Sequence, residues 1–325
     1  MSTGAEQILD VDLLRFETGD RAARMAVVDG VMRSLRTGFV FTSHDLGAGL
    51  LDDAYRMLAA FFERPTSEKA RYVTPGSHGQ TGYTGLLVET AATADHADWK
   101  EMLNWGAALP PGHPLRRRYP HRYLDPVFPE ASVPGISSVL SALHEQTMSL
   151  QHRFLRVVAA GLDIAEDFFD RLVAHGPTLT RAIHYPAMDL APGSEHLWAA
   201  PHGDINLITA LPRATARRLQ VLTTDGWIDA VPPMHHVVIN TGMMLEQITN
   251  GVIPTGIHRV LADPDQTGGR YSVVQFCHPT PWTVLAPLVC TVSPERPQRY
   301  GAISAGDRLD EVLWEINLLD GEERL

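Results

Sequence analysis

The alternation of apolar and polar residues divides the chain into a first half with helical periodicity and a second half with strand periodicity. Apolar residues recur at the spacing of an amphipathic helix in four stretches, at residues 22–36, 50–62, 136–162 and 165–174. The third stretch is the longest and predicts one long helix. Gly38 and Pro65 follow the first two stretches and predict their ends, and the apolar run at 39–41 predicts a short strand.

Two segments of the first half lack this periodicity. Residues 74–85 are rich in glycine, and residues 110–134 are dense in proline, so both are predicted to be loops. Three consecutive arginines, Arg116 to Arg118, lie in the second segment and are predicted to be solvated.

After residue 180 the pattern has a period of two and is interrupted by turn residues. Five segments of this kind predict strands, at residues 182–185, 207–211, 219–222, 237–240 and 271–276. Asp225-Gly226 predicts a hairpin turn after the third strand. Short strands in succession predict a sandwich or barrel of two sheets. We therefore expect a mixed α and β fold, with an N-terminal region at 1–135 and a helix-plus-sheet core at 136–325 in one compact unit.

Composition narrows the classes of function. The chain has 325 residues, 44% of them hydrophobic, and a formal net charge of −11. Such a chain is expected to fold, and its acidity argues against nucleic acid or an anionic membrane as a partner. The two cysteines make no disulfide framework. No apolar run is long enough to span a bilayer and the N-terminus does not resemble a signal peptide, so we expect a cytoplasmic protein.

Histidine supplies the first candidate chemistry, because the chain contains 15 of them. His202 and Asp204 are two positions apart, and residues with this spacing project from the same face of an extended strand. His258 precedes another extended segment and offers a third donor. Two histidines and one carboxylate form the facial triad of non-haem Fe(II) oxygenases, which leaves three coordination positions open. A single His-x-Asp pair is weak evidence by itself.

A second pair of residues raises the weight of this hypothesis. Arg270 and Ser272 have strand spacing and could together bind one carboxylate, as needed for a dicarboxylate such as 2-oxoglutarate. Tyr185, in the segment Arg181 to Pro186, could donate a hydrogen bond to a bound acid.

The order of these motifs resembles the isopenicillin N synthase-like family of Fe(II)- and 2-oxoglutarate-dependent dioxygenases. The resemblance is carried by His202-x-Asp204, His258-Arg259-Val260 and Arg270-x-Ser272 in that order. Further matches in family order are Gly38-Phe39, Gly82-Tyr83, Asp98-Trp99-Lys100-Glu101, His184-Tyr185-Pro186, Leu219-Gln220-Val221 and His278-Pro279. The resemblance implies a distorted double-stranded β-helix, or jelly roll, with flanking helices.

The resemblance also implies the site and its cofactors. His202, Asp204 and His258 would bind Fe(II), and Arg270 and Ser272, with Tyr185 nearby, would bind 2-oxoglutarate, with O2 as the oxidant. The enzyme would hydroxylate, desaturate or cyclise a small molecule, such as an amino acid or a secondary-metabolite intermediate, and release succinate and CO2. The candidates for the substrate pocket are Tyr83, Trp99, Lys100, Asn104, Trp198 and Phe276. Two alternatives remain open: an oxidase that uses no 2-oxoglutarate, and a non-catalytic jelly-roll binding protein.

Overall fold

The computed structural model describes residues 7–88, 98–187, 197–215, 218–262 and 269–315. In this part of the chain the α-helices are α1 (Leu13–Thr18), α2 (Arg21–Ser34), α3 (Ala48–Phe62), α4 (Thr66–Lys69), α5 (Pro114–Arg118), α6 (Ile136–Gly161), α7 (Asp170–Val173), α8 (Met243–Ile248) and α9 (Ala305–Glu315). The strands are β1 (Asp10–Val11), β2 (Phe39–Ser43), β3 (Gly82–Thr84), β4 (Glu101–Gly106), β5 (Leu179–Tyr185), β6 (Leu197–His202), β7 (Ile208–Ala214), β8 (Leu219–Thr223), β9 (Gly226–Asp229), β10 (His236–Thr241), β11 (His258–Leu261), β12 (Arg270–Cys277), β13 (Val284–Leu285) and β14 (Ile303–Ser304).

Two sheets face each other across an apolar interior. The major sheet has the strand order β1-β2-β10-β7-β12-β5-β4-β3, and the minor sheet has the order β6-β11-β8-β9. Apart from the parallel β1–β2 pair, the neighbours in these two sheets pair antiparallel. Residues of both sheets pack together between them, including Tyr185 of the major sheet and Trp198 and Val221 of the minor sheet. This arrangement is the predicted jelly-roll core.

The long helix α6 covers the outer face of the major sheet. It runs from Ile136 to Gly161, close to the predicted 136–162, and its apolar stripe is buried. The helix also carries buried polar groups that bond to the sheet: Gln151 Nε2 donates to the carbonyl oxygens of Ile208 (3.1 Å) and Gln275 (2.8 Å). The major sheet is therefore covered on both faces, by helices outside and by the minor sheet inside.

The predicted N-terminal region and the predicted core share one sheet. Strand β2 pairs with β10, and β4 pairs with β5, so strands of the N-terminal region flank the four core strands at both edges of the major sheet. None of the helices in the described part of the chain has the length and apolarity needed to cross a bilayer.

Three local expectations were wrong. Gly82–Thr84, predicted to be a loop, is the edge strand β3, because its backbone pairs with Met102 to Asn104 of β4. Residues 110–134 were also predicted to be a loop, but Arg116 to Arg118 lie in helix α5. Pro114 occupies the first turn of this helix, and the ring of His113 accepts a hydrogen bond from Leu115 N (3.2 Å).

The predicted helix at 165–174 is also mostly absent. Only Asp170–Val173 is α-helical, because the preceding residues form separate turns with bonds from residue i+3 to residue i. Phe168 N donates to the carbonyl of Ala165, and Asp170 N donates to the carbonyl of Asp167. Such turns do not continue into an α-helix.

Candidate metal centre and cosubstrate pocket

A cavity lies between the two sheets, and its walls come from both. The minor sheet contributes His202 and His258, and the major sheet contributes Arg270 and Ser272 from β12. Alternate residues of β5 and β12 face the cavity, as expected for strands. Most of the remaining wall is apolar and includes Phe39, Ile183, Leu211, Val238, Val260 and Val274.

The three predicted metal ligands converge at this cavity. Ligand atoms of His202, Asp204 and His258 all lie within 4.8 Å of one another. The two histidines are paired across β6 and β11, and their ring centroids are 4.3 Å apart. The i, i+2 reasoning was right about proximity, although Asp204 lies two residues beyond the end of β6. Two imidazoles and one carboxylate suit Fe(II).

Backbone carbonyls orient both imidazoles. His202 Nδ1 lies 2.7 Å from the carbonyl oxygen of Ala200, and His258 Nδ1 lies 3.0 Å from that of Gly256. A carbonyl only accepts hydrogen bonds, so each Nδ1 carries the proton and each Nε2 keeps its lone pair for a metal. Burial, followed by the nearby His258, lowers the pKa of His202 to about 4, so its imidazole is neutral at pH 7. Neutral imidazole is the form that binds metals.

The turn at the start of α8 supports the loop that carries Asp204. Met243 N donates to the Asp204 carbonyl oxygen (2.8 Å), and Gly242 N donates to that of Leu207 (2.9 Å). A Cβ atom on Gly242 would lie 2.1 Å from the carbonyl oxygen of Asn206, so a side chain there would push the loop away. The glycine is needed for this close approach.

The Asp204 carboxylate is buried and remains ionised. Burial raises its pKa, but His258 and His202 together with hydrogen bonds from Thr209 and Asn240 outweigh burial and lower it. A buried carboxylate in this form is an anionic ligand ready for a cation.

The predicted carboxylate-binding pair lies in the same cavity. Arg270 is only 2% exposed, and its Nη1 donates to Ser272 Oγ at 3.3 Å. Tyr185 is the cross-strand partner of Arg270, and the guanidinium carbon lies 5.2 Å from the centre of its ring. These side chains could together bind a carboxylate between the sheets.

The six substrate-pocket candidates divide into two groups. Lys100 and Phe276 line the cavity, whereas Tyr83, Trp99, Asn104 and Trp198 do not. Tyr83 points to the helix-covered side of the major sheet, where its hydroxyl donates to Glu101 Oε2 (2.5 Å).

The other three lie close to the cavity but behind its wall. Asn104 is fully buried, and its Oδ1 accepts from Nε of Arg181 (2.7 Å). Trp198 packs against Tyr185, with 5.5 Å between ring centroids, and Trp99 packs against the same interior cluster. These side chains support the lining residues instead of forming the surface.

Sequence reasoning missed several lining residues. Arg181 lines the cavity with its guanidinium 5.5 Å from the ring centre of Phe276. The sequence could have indicated this, because Arg181 and Tyr185 lie four residues apart in one strand, and strand residues with this spacing share a face. Thr209 and Asn240 also line the cavity. Each is a polar residue next to an apolar run of its strand, which is a weaker signal.

A buried ionic cluster lies on the opposite face of the same sheet. Lys69 Nζ lies 2.6 Å from Glu101 Oε2, and both side chains are less than a tenth exposed. His184 Nδ1 lies 2.7 Å from Oε1 of the same carboxylate, and the His184 ring stacks on Tyr271. The cluster secures the start of β4, next to Lys100 in the cavity wall.

Comparison with known proteins identifies the family. The family model described as "non-haem dioxygenase in morphine synthesis N-terminal" matches residues 8–130. The 2OG-Fe(II) oxygenase superfamily model matches residues 178–279. A crystal structure of a 2OG-Fe(II) oxygenase family protein from Caulobacter crescentus is 34% identical, with a TM-score of 0.85, covering 96% of this chain and 100% of that one. The chain belongs to the 2OG-Fe(II) oxygenase superfamily.

Other relatives agree. Mugineic-acid 3-dioxygenase of Hordeum vulgare is 26% identical over 92% of this chain and 82% of its own. A 2-oxoglutarate-dependent dioxygenase of Gibberella zeae is 32% identical over 71% of this chain and 64% of its own. The structure of a full-length Neurospora crassa protein in complex with alpha-KG shares the fold, with a TM-score of 0.83 and 24% identity over 97% of this chain and 98% of that one.

Membership confirms the predicted class and cofactors. This superfamily member is a non-haem Fe(II)- and 2-oxoglutarate-dependent dioxygenase that acts on small molecules with O2 as oxidant. The His-Asp-His group at the cavity fits iron binding. The two alternatives left open by the sequence, an oxidase without 2-oxoglutarate and a binding protein, find no support among these relatives.

Proposed function

We propose that this cavity binds Fe(II) through His202, Asp204 and His258 and binds 2-oxoglutarate through Arg270 and Ser272. The observation that carries the proposal is the convergence of the three ligand atoms within 4.8 Å, in the cavity that also holds the buried guanidinium. When bound, iron and 2-oxoglutarate supply the oxidation of an unactivated C–H bond by O2, with release of succinate and CO2.

The protein groups have separate tasks in this proposal. The carbonyls of Ala200 and Gly256 fix the proton on Nδ1 of each histidine, so Nε2 faces the metal. Arg270 binds the distal carboxylate of 2-oxoglutarate, and Ser272 and Tyr185 assist. Because Arg270 is buried between apolar walls, its interaction with a carboxylate is strong and water is excluded from it.

The substrate is a small molecule, and we propose a free amino acid or a secondary-metabolite intermediate that is hydroxylated, desaturated or cyclised. Lys100, Arg181 and Phe276 lie on the cavity wall and offer polar and aromatic contacts. The relatives support small-molecule chemistry, since mugineic-acid 3-dioxygenase is named for such a substrate. A panel of amino acids and small acids, assayed for succinate above the uncoupled background, tests this. If no member of the panel raises succinate release above the uncoupled background, this substrate class is contradicted.

The cofactor assignment is tested anaerobically with Fe(II) and 2-oxoglutarate. We expect a weak visible charge-transfer band from the chelate in the wild type, and no band in Asp204→Ala. Arg270→Gln should raise the 2-oxoglutarate Kd at least about 30-fold, because removing one partner of a buried charge pair costs about 2 kcal/mol or more.

A matched control separates local from general effects. Arg259 lies outside the cavity, where its Nε donates to Gln220 Oε1 (3.0 Å) and its guanidinium stacks on Trp227. Arg259→Gln should leave the 2-oxoglutarate Kd unchanged. Equal Kd values for the Arg270 and Arg259 variants would refute the assigned role of Arg270.

A further inference from the structure

The two oxygens of the Asp204 carboxylate have different surroundings. Thr209 Oγ1 donates to Asp204 Oδ2 at 2.6 Å, and Asn240 Nδ2 donates to the same oxygen at 2.7 Å. Within the described residues, the side-chain hydrogen bonds of this carboxylate both end on Oδ2. Two donors occupy the positions around Oδ2, whereas Oδ1 is left for another partner.

The sheet fixes the positions of both donors. Thr209 on β7 and Asn240 on β10 are directly opposite each other in the antiparallel register, and both side chains face the cavity. Their separation is therefore set by two paired strands, and both residues are buried. Asp204 lies on a loop, so its carboxylate takes its orientation from this rigid pair.

A third residue fixes the direction of the hydroxyl proton. Asn206 Nδ2 donates to Thr209 Oγ1 (3.1 Å) and to the carbonyl oxygen of Ile208 (2.6 Å). The Thr209 oxygen accepts this bond, and Asp204 Oδ2 at 2.6 Å is a much nearer acceptor for its own proton than Asn206 Oδ1 at 3.4 Å, so the proton points at Asp204 Oδ2. The result is an ordered chain in which Asn206 donates to Thr209 and Thr209 donates to Asp204.

We propose that Thr209 and Asn240 are positioning residues that hold Asp204 as a one-oxygen ligand. Oδ2 is occupied by the two donors, and Oδ1 is the atom offered to the metal. This inference rests on the proposed function, in which Asp204 binds Fe(II). A carboxylate that bound iron through both oxygens would take a coordination position needed by 2-oxoglutarate or O2. The hydrogen bonds therefore keep three positions open.

The test removes each donor and measures metal binding without turnover. Thr209→Val is nearly isosteric and lacks only the hydroxyl, Asn240→Leu removes the amide, and Thr209→Ser restores a donor. Anaerobic titration should give a Fe(II) Kd about 10- to 100-fold higher for Thr209→Val and Asn240→Leu, and a near wild-type Kd for Thr209→Ser.

A spectroscopic readout separates positioning from general destabilisation. The visible bands of Co(II)-substituted protein report the ligand set and geometry around the ion, and binding through both oxygens of Asp204 would change both, so Thr209→Val and Asn240→Leu should both show altered bands. Thr241→Val is the matched control, because this neighbouring threonine is fully buried and its hydroxyl donates to the Pro254 carbonyl oxygen (2.5 Å). Its Fe(II) Kd and Co(II) spectrum should match the wild type.

The outcomes distinguish this inference from the proposed function. If Asp204→Ala still binds Fe(II) like the wild type, the metal-site assignment fails. If Asp204→Ala loses Fe(II) while Thr209→Val and Asn240→Leu retain wild-type Kd values and Co(II) spectra, only the positioning role is overturned. Circular dichroism checks folding, and if one donor variant does not fold, the other decides.

Discussion

The buried pair Lys69–Glu101 allows a quantitative prediction about stability. Lys69 Nζ contacts Glu101 Oε2 at 2.6 Å and the Phe62 carbonyl oxygen at 2.9 Å. The side chain of Lys69 is 7% exposed and that of Glu101 is 3% exposed. Removing one partner leaves an uncompensated buried charge, which costs about 3–5 kcal/mol. We therefore expect Lys69→Met and Glu101→Gln each to lower the free energy of unfolding by about this amount.

The double variant tests the physical reason. Lys69→Met combined with Glu101→Gln buries no charge at these positions, so it should cost clearly less than the sum of the single variants. The assay is urea unfolding at pH 7, followed by circular dichroism. Arg56→Met is the control, because Arg56 and Asp53 form an exposed pair that should contribute less than about 1 kcal/mol. A strictly additive double variant, or a Lys69→Met cost below about 1 kcal/mol, would refute the reasoning.

The same pair predicts a pH dependence. Burial raises the pKa of Glu101, but hydrogen bonds from His184, Lys69 and Tyr83 outweigh burial and lower it below 4.5. A carboxyl with a lowered folded-state pKa stabilises the protein above its unfolded-state pKa, and this contribution is lost as the pH falls. The stability difference between wild type and Glu101→Gln should therefore shrink as the pH drops below 4.5; a constant difference would contradict this.

Three further predictions concern other buried groups. Burial lowers the pKa of His144 to about 4, so this residue alone should cost the wild type roughly 3 kcal/mol between pH 6.5 and 4, as the unfolded chain takes up its proton; His144→Gln should therefore make stability fall less steeply with pH in urea unfolding. Gly242→Ala should weaken Fe(II) binding in anaerobic titration, because its Cβ would lie 2.1 Å from the Asn206 carbonyl oxygen; wild-type binding would show that the loop tolerates the shift. Tyr55→Phe should lower the unfolding free energy by about 1–3 kcal/mol, since Val273 N donates to the Tyr55 hydroxyl at 3.0 Å; a smaller loss would mean that another acceptor replaces it.

The sequence alone determined the elements whose periodicity is strong. The stripe of α6 repeats over seven turns, so its bounds could be predicted almost to the residue. The pairs His202–Asp204 and Arg270–Ser272 could be found because residues two apart share a face of an extended strand, whichever sheet the strand joins. His258 was found as a possible third donor ahead of an extended segment, the resemblance to a family gave these residues their roles, and the structure brings all five side chains to one cavity.

The tertiary structure decided which face of each strand meets the cavity. The major sheet is covered on both sides, so the period of two predicts its strands but does not mark which of their faces is the inner one. Lys100 thus lines the cavity, while its neighbour Glu101 faces Lys69 behind the sheet. Tyr83 lies on the same side as Glu101, because its hydroxyl donates to the Glu101 carboxylate. The donors to Asp204 Oδ2 were hidden for a related reason: cross-strand register, which places Thr209 opposite Asn240, exists only once the sheet has formed.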